Sequence, residues 1–334
     1  MVASVIVLAH GAEPLLEECV RALVADGAAE VVVVDNMAAR GPVAAVAALP
    51  RVRILSPGRN LGYAGGCNYA AGHTTGDVLV FVNSDAVVRQ GALDALVRRA
   101  SVPDTGLACA SIRLADDPEM LNTAGNPVHY LMFSWVGSLG EPASEHSEVT
   151  EVASISGVAF AVRRTVWDEL GGFDPEYIAY CEDVYLSMRA WQAGYRVVHE
   201  PASVVLHHYD FARNSAKFYL LERNRLMNFV LLPELRTRRI LMAPALVVEA
   251  GVLAVAVRDG WARDKLDGWR WLLGHRRSLA ERRRHIQEHR RVPDRDLAPL
   301  LRGTLDPPQG LGPGVPAPVS RALARYWAWA VRRL

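Results

Sequence analysis

The 334-residue chain has almost no lysine: among 37 lysines and arginines, only Lys217 and Lys265 are lysines. Chemistry that depends on a catalytic lysine therefore has no candidate before position 217. Cysteine is also scarce. Cys19, Cys67, Cys109 and Cys181 form no CxxC pair and show no Cys/His zinc spacing, which points to free thiols in a reduced compartment. Charge of one sign is missing too: the net charge of +1 argues against a dedicated nucleic-acid binder. The apolar run at 5–9 is too short for a secretory signal and lacks a basic flank. Residues 10–14 do not supply the G-x-G-x-x-G that a nicotinamide dehydrogenase carries after its first strand. What remains is a chain with 51% hydrophobic residues, long enough to bury a large core.

Short apolar runs at 4–9, 31–34, 52–55, 78–82 and 107–112 alternate with helical patterns at 15–25 and 61–71. Continuous apolar strands separated by helices predict a mostly parallel sheet covered on both faces. Ligands of such sheets bind beyond the carboxyl ends of the strands. Two polar clusters fall there, Asp35-Asn36 and Asn83-Ser84-Asp85. Residues 115–149 lose periodicity and read as irregular. A strand at 159–162, helices at 165–170 and 184–193, and short strands at 197–199 and 204–206 follow. From Phe211 onward the pattern is helical. The apolar stretch 240–257 barely reaches membrane-spanning length and contains Pro244 and Glu249, so a buried or interfacial helix is expected. Beyond it, Trp261, Trp269 and Trp271 lie among arginines that include Arg276-Arg277 and Arg282-Arg283-Arg284. That mixture suits peripheral, salt-sensitive docking on an anionic membrane.

Each chemical candidate has a plain alternative. Asp35-Asn36 suits a nucleobase N–H or an ordinary strand-end turn. Asn60 and Gly62 open a glycine-bearing helix whose free N–H groups suit a phosphate or ribose. Asp85 suits a hard cation on a diphosphate, and Asn-Ser-Asp is also a common turn. Glu182-Asp183 precedes a helix, where acids complement the dipole or serve as a general base. His207-His208 ends a short strand; a histidine there is structural unless it completes a metal site with Asp85.

In order and spacing, SVIVLAH, VVVVDN, RNLGYAGGCNYA, VFVNSDA, the stretch from GVAFAVRR to QAGYRV, VLHH and YLLERNRLMNF resemble glycosyltransferase family 2. The resemblance is to its bacterial rhamnosyltransferase-like members. It implies a nucleotide-diphospho-sugar (GT-A) α/β fold over 1–235 with a mostly parallel sheet, followed by a helical, membrane-associating region over 236–334. It places Asp35 and Asn36 at the nucleobase, Asn83 at donor sugar or ribose, and Asp85 with His207 on Mg2+ or Mn2+. Asp183 becomes the catalytic base, and Glu182, Arg223 and Arg225 become contacts to diphosphate or acceptor. Three departures stand out: Tyr185 where a second acid is common, Ala9-His10-Gly11 at the end of strand one, and Met37-Ala38-Ala39 after Asp-Asn.

The expected activity is inverting transfer of a sugar, with rhamnose the candidate. The donor is a nucleotide-diphospho-sugar and the acceptor a hydroxyl of a lipid-linked saccharide or polysaccharide in cell-envelope glycan synthesis. The expected location is cytoplasmic, peripheral at the inner face of the membrane, without nucleic-acid partners. A sugar-1-phosphate nucleotidyltransferase is the alternative, disfavoured by the missing early lysine. A non-catalytic membrane-docking protein with a decayed site is a second.

Overall fold

The computed structural model describes residues 1–208, 217–308 and 315–334; the expected start of the helical region at Phe211 lies outside them. In chain order the elements are β1 (Ala3–Gly11), α1 (Leu16–Ala25), β2 (Glu30–Ala38), α2 (Arg40–Ala47), β3 (Val52–Leu55), α3 (Gly62–Ala71), β4 (Val78–Asn83) and β5 (Ala86–Val88). Next come α4 (Ala92–Ala100), β6 (Thr105–Leu114), β7 (Leu121–Thr123), β8 (Val128–His129), β9 (Thr150–Glu151), β10 (Ala159–Arg163), α5 (Arg164–Leu170), α6 (Glu182–Gln192) and β11 (Arg196–His207). The remainder is α7 (Lys217–Leu231), α8 (Leu235–Arg258), α9 (Ala262–Gly274), α10 (Arg276–Glu288), α11 (Asp294–Leu297), β12 (Leu301–Arg302) and α12 (Ala317–Val331). They form two compact units. The first comprises Met1–Asn126, Val136–Ala190 and Tyr195–Tyr209; the second comprises Pro127–Trp135, Trp191–Gly194 and Asp210–Leu334.

In the first unit one sheet runs β3-β2-β1-β4-β10-β6-β11-β5, with β7 beside β6 and β9 beside β11. The expected parallel pairing holds for β3, β2, β1 and β4, and again between β6 and β11. Strand β10 runs antiparallel between β4 and β6, so the sheet is mixed. The two short strands expected at 197–199 and 204–206 are one strand, β11, whose register shifts between Glu200 and Val204. Pro201 lies in that gap and has no N–H for the ladder. Alternate valines of β1, β2 and β4 bury against Leu16, Cys19, Val20 and Leu23 of α1. Elsewhere in this unit Phe81 stacks on Phe160 and Trp167, with Phe173 edge-on to all three. Gly66 lets α3 approach β1, since a Cβ there would lie 2.1 Å from Leu8 Cδ1. Close packing thus accounts for Gly66, one of the three glycines of α3.

The second unit is helical, with a short β8–β12 pair. It takes in α7, which is fastened to later helices. Glu222 of α7 accepts from Lys265 Nζ of α9 at 2.6 Å and from Arg225 Nη2 at 2.8 Å. Glu249 of α8 accepts from the same lysine at 2.9 Å, from Trp269 Nε1 at 2.9 Å and from Arg225. The carboxylate that looked costly inside an apolar stretch is therefore paired twice. Pro244 leaves the carbonyl of Ile240 without its helical donor, and Tyr326 O–H of α12 supplies one at 2.6 Å. The basic segment turns partly inward: Arg283 and Gln287 donate to the carbonyls that end α7, at Val230, Leu231 and Leu232. The tryptophans are likewise engaged within the unit, Trp261 stacked on Phe218 and Trp271 on His275, with Arg223 over the Trp271 ring.

Candidate active site

Near the carboxyl end of β2, the half-buried Asp35 uses one carboxylate oxygen to accept from the N–H of Ala38 at 3.0 Å. Asn36 faces inward and is 1% exposed. Its Oδ1 accepts from the Leu61 N–H at 2.7 Å, and its Nδ2 donates to Asn60 Oδ1 at 3.0 Å and to the Gly62 carbonyl. Asn60 Oδ1 also accepts from the Gly62 N–H. Asn36 and Asn60 therefore build the loop entering α3. Gly62 has its own reason to be glycine. Its φ is +70°, and a Cβ would lie 2.7 Å from the Ile178 carbonyl oxygen. That oxygen accepts from the Ala64 N–H, so Gly62 admits the turn leading to Glu182-Asp183.

The second cluster is assembled by strand pairing. Asp85 lies between β4 and β5, and Ala86 pairs with His207 at the end of β11. His207 Nε2 stands 3.4 Å from Asp85 Oδ1, and both side chains are largely buried. On the other side of the ring, Nδ1 is 3.0 Å from Asn122 Oδ1. In the tautomer that donates Nδ1–H to Asn122, Nε2 keeps a lone pair, the form a metal ligand takes. Two ligand atoms each about 2.1 Å from one cation, at roughly a right angle, stand about 3 Å apart, so the separation fits a shared metal ion. Among the described residues no group of three His, Cys, Asp or Glu could hold a metal. Further ligands would come from the substrate and water, as magnesium sites allow. His208 touches Asp85 through its backbone, donating N–H to the Asp85 carbonyl.

The acidic pair opens α6 after a strained turn in which Ile178, Tyr180 and Cys181 all have positive φ. A β-branched residue at positive φ is an outlier that needs support. The Ile178 contact with α3 provides it. Burial raises both carboxyls. Glu182 is pushed up to about 8, with the charge of Asp183 adding to the effect. Asp183 is pushed up to about 6, restrained by hydrogen bonds from the backbone of Val184 and Gly157 and from the side chain of Asn126. The pair therefore holds a proton more tightly than two free carboxyls would. Glu182 Oε2 is buried from solvent. Tyr185, where a second acid is common, is packed on Tyr177 and accepts from Arg189 Nη1 at 3.0 Å.

These pieces share one neighbourhood. Gly157, beside Asp183, precedes Val158, whose carbonyl accepts from the Asn83 N–H. Asn126, also at Asp183, accepts from Thr123 Oγ1, next in sequence to Asn122 at His207. Asn122 and Asn126 escaped the sequence reading. Both lie in the aperiodic 115–149 stretch, where no spacing marks an asparagine as a partner. Arg223 and Arg225 belong to the second unit. The guanidinium of Arg225 pairs with Glu222 and Glu249. That of Arg223 stacks on Tyr219 and Trp271 and donates to Asn224 Oδ1, so it too is engaged within its unit.

The family model described as Glycosyl transferase family 2 matches residues 4–171. An N-acetylglucosaminyl-diphospho-decaprenol L-rhamnosyltransferase of Mycobacterium tuberculosis is 32% identical over 203 residues, covering 53% of this chain and 66% of that protein. Two solved structures share the fold. GalNAc-T7 with UDP, GalNAc and Mn2+ has TM-score 0.59 at 18% identity, over 69% of this chain and 48% of that one. Mannosyltransferase PcManGT from Pyrobaculum calidifontis, with GDP-Man and Mn2+, has TM-score 0.52 at 19% identity, over 86% and 85%. On this fold and match, the chain belongs to glycosyltransferase family 2.

Proposed function

We propose that the chain is an inverting glycosyltransferase that moves a sugar, rhamnose being the candidate, from a nucleotide-diphosphate donor to a hydroxyl of a lipid-linked saccharide. It would act at the inner face of the cell membrane in cell-envelope glycan synthesis. The observation that carries the reading is the convergence of Asp183 with the Asp85–His207 pair. The rhamnosyl donor and lipid-linked acceptor draw support from the name of the mycobacterial relative.

In the proposed reaction the acceptor oxygen bonds to the anomeric carbon as the bond from that carbon to the diphosphate oxygen breaks. The electron pair leaves with the diphosphate. Asp183 takes the hydroxyl proton, and Asn126 and the Gly157 backbone hold its carboxylate in place. One displacement inverts the anomeric centre. Asp85 and the Nε2 lone pair of His207 would hold Mg2+ or Mn2+, which when bound neutralises diphosphate charge. The test is Asp183→Asn, which preserves shape and deletes the proton acceptor. Transfer should fall by about a hundredfold or more while donor binding persists. Turnover near the parent rate would refute the base assignment.

A further inference from the structure

Helix α8 has two opposite faces. The inner one is fixed within its unit: Leu241, Pro244 and Ala256 are buried, Ile240 accepts from Tyr326, and Glu249 is held by Lys265, Arg225 and Trp269. The outer one is apolar along its length. Met242, Leu246, Val247 and Val257 are 42%, 63%, 72% and 64% exposed, and Ala243, Ala250, Gly251 and Ala254 between them are exposed as well. These positions recur at helical spacing and form one stripe. No acid stands among the exposed residues from Leu235 to Val257, and Arg236 and Arg239 are exposed at the amino-terminal end. At the other end, Arg258 shares its charge with Asp259.

We propose that α8 is an in-plane membrane anchor, its outer stripe entering the acyl boundary of an anionic bilayer while Arg236 and Arg239 meet the headgroups. Of the stretch the sequence suggested, the apolar helix keeps its outer face exposed, while Trp261, Trp269, Trp271 and Arg283 are engaged within the unit. By length and composition α8 could cross a membrane, but two observations favour its lying on one. The opposite face carries paired charges that a span would carry into the hydrocarbon. Helix α9, packed behind, exposes Arg263 and Arg270. Charge also favours lipid over a second copy of the chain. A parallel copy sets Arg236 and Arg239 against their own counterparts, whereas anionic headgroups complement them. The anchor deepens the lipid-linked acceptor reading and brings the enzyme to the surface where that acceptor resides.

The experiment is flotation of the full chain with liposomes of anionic or neutral lipid, free of donor and acceptor, beside sedimentation in solution. The parent should float with anionic liposomes and be released by alkaline carbonate. Leu246→Glu with Val247→Glu should lower flotation by at least about tenfold at unchanged melting temperature, because both side chains are exposed in the folded unit. Arg236→Gln with Arg239→Gln should weaken flotation on anionic lipid alone. Undiminished flotation of the glutamate variant would overturn the proposal. So would resistance of the parent to carbonate, which marks a span, or a parent dimer that the glutamates dissociate without loss of flotation. Transfer to a detergent-dispersed acceptor, measured in parallel, separates the two readings. Stripe-dependent flotation without any transfer sinks the transferase reading and leaves the anchor standing.

Discussion

Replacing Lys265 with methionine should unfold the second unit far more readily than any change of volume explains. Lys265 is 0% exposed and lies within 2.9 Å of carboxylates from two different helices. In the parent, Lys265 and Arg225 balance Glu222 and Glu249. The variant leaves two buried carboxylates facing one guanidinium, and removing one partner of a buried pair costs about 3–5 kcal/mol. Adding Glu222→Gln restores neutrality, so the double variant should recover about 2 kcal/mol, a coupling that independent sites do not show. Denaturant unfolding followed by tryptophan fluorescence is the assay, since Trp167 is the only tryptophan of the first unit. A pH series adds a signed check. Burial alone would raise Glu222, but Arg225 and Lys265 lower it to about 2. Its stabilisation is therefore present above the ordinary value of 4.5 and is lost as pH falls toward 2. Lys265→Met should shrink that loss. A cost below about 1 kcal/mol, or no coupling with Glu222→Gln, would refute the account.

Two further predictions concern the first unit. Because burial holds Asp183 up to about 6, kcat/KM should climb with pH on a limb centred near 6, as the base loses its proton; a limb near 4, or none in a metal-saturated assay, contradicts the assignment. Asn122→Leu removes the partner of His207 Nδ1, so Mn2+ affinity, measured by titration with a nucleoside diphosphate present, should drop about 10–100-fold with the fold intact. Unchanged affinity would separate His207 from the metal.

Much of the fold was legible because its signals are local. The valine run 31–34, the run 78–82 and the amphipathic stretch at 15–25 each declare their element within one window, and β2, β4 and α1 match them to within a few residues. Asp85 lies just beyond β4 as expected, whereas β2 runs on to Ala38, so Asp35 and Asn36 sit inside the strand near its carboxyl end. The small β5 and α4 went unremarked, and β10 reads the same whether its neighbours run with it or against it.

The sequence by itself determined the alternation of strands and helices, the acids at their ends and the family pattern, since each rests on neighbours in the chain. Tertiary structure decided what those residues face. Asn36 and Asn60 are turned to each other and to Gly62, Asp85 meets His207 through the pairing of β5 with β11, and Asn122 meets the other ring nitrogen. Glu249 shows the same division most plainly. In sequence it is a charge interrupting an apolar run; in the folded unit it is paired with Lys265 and Arg225, and the run around it turns its other side outward. Partner choice between residues far apart in the chain leaves no periodic trace, so only the packed structure could supply it.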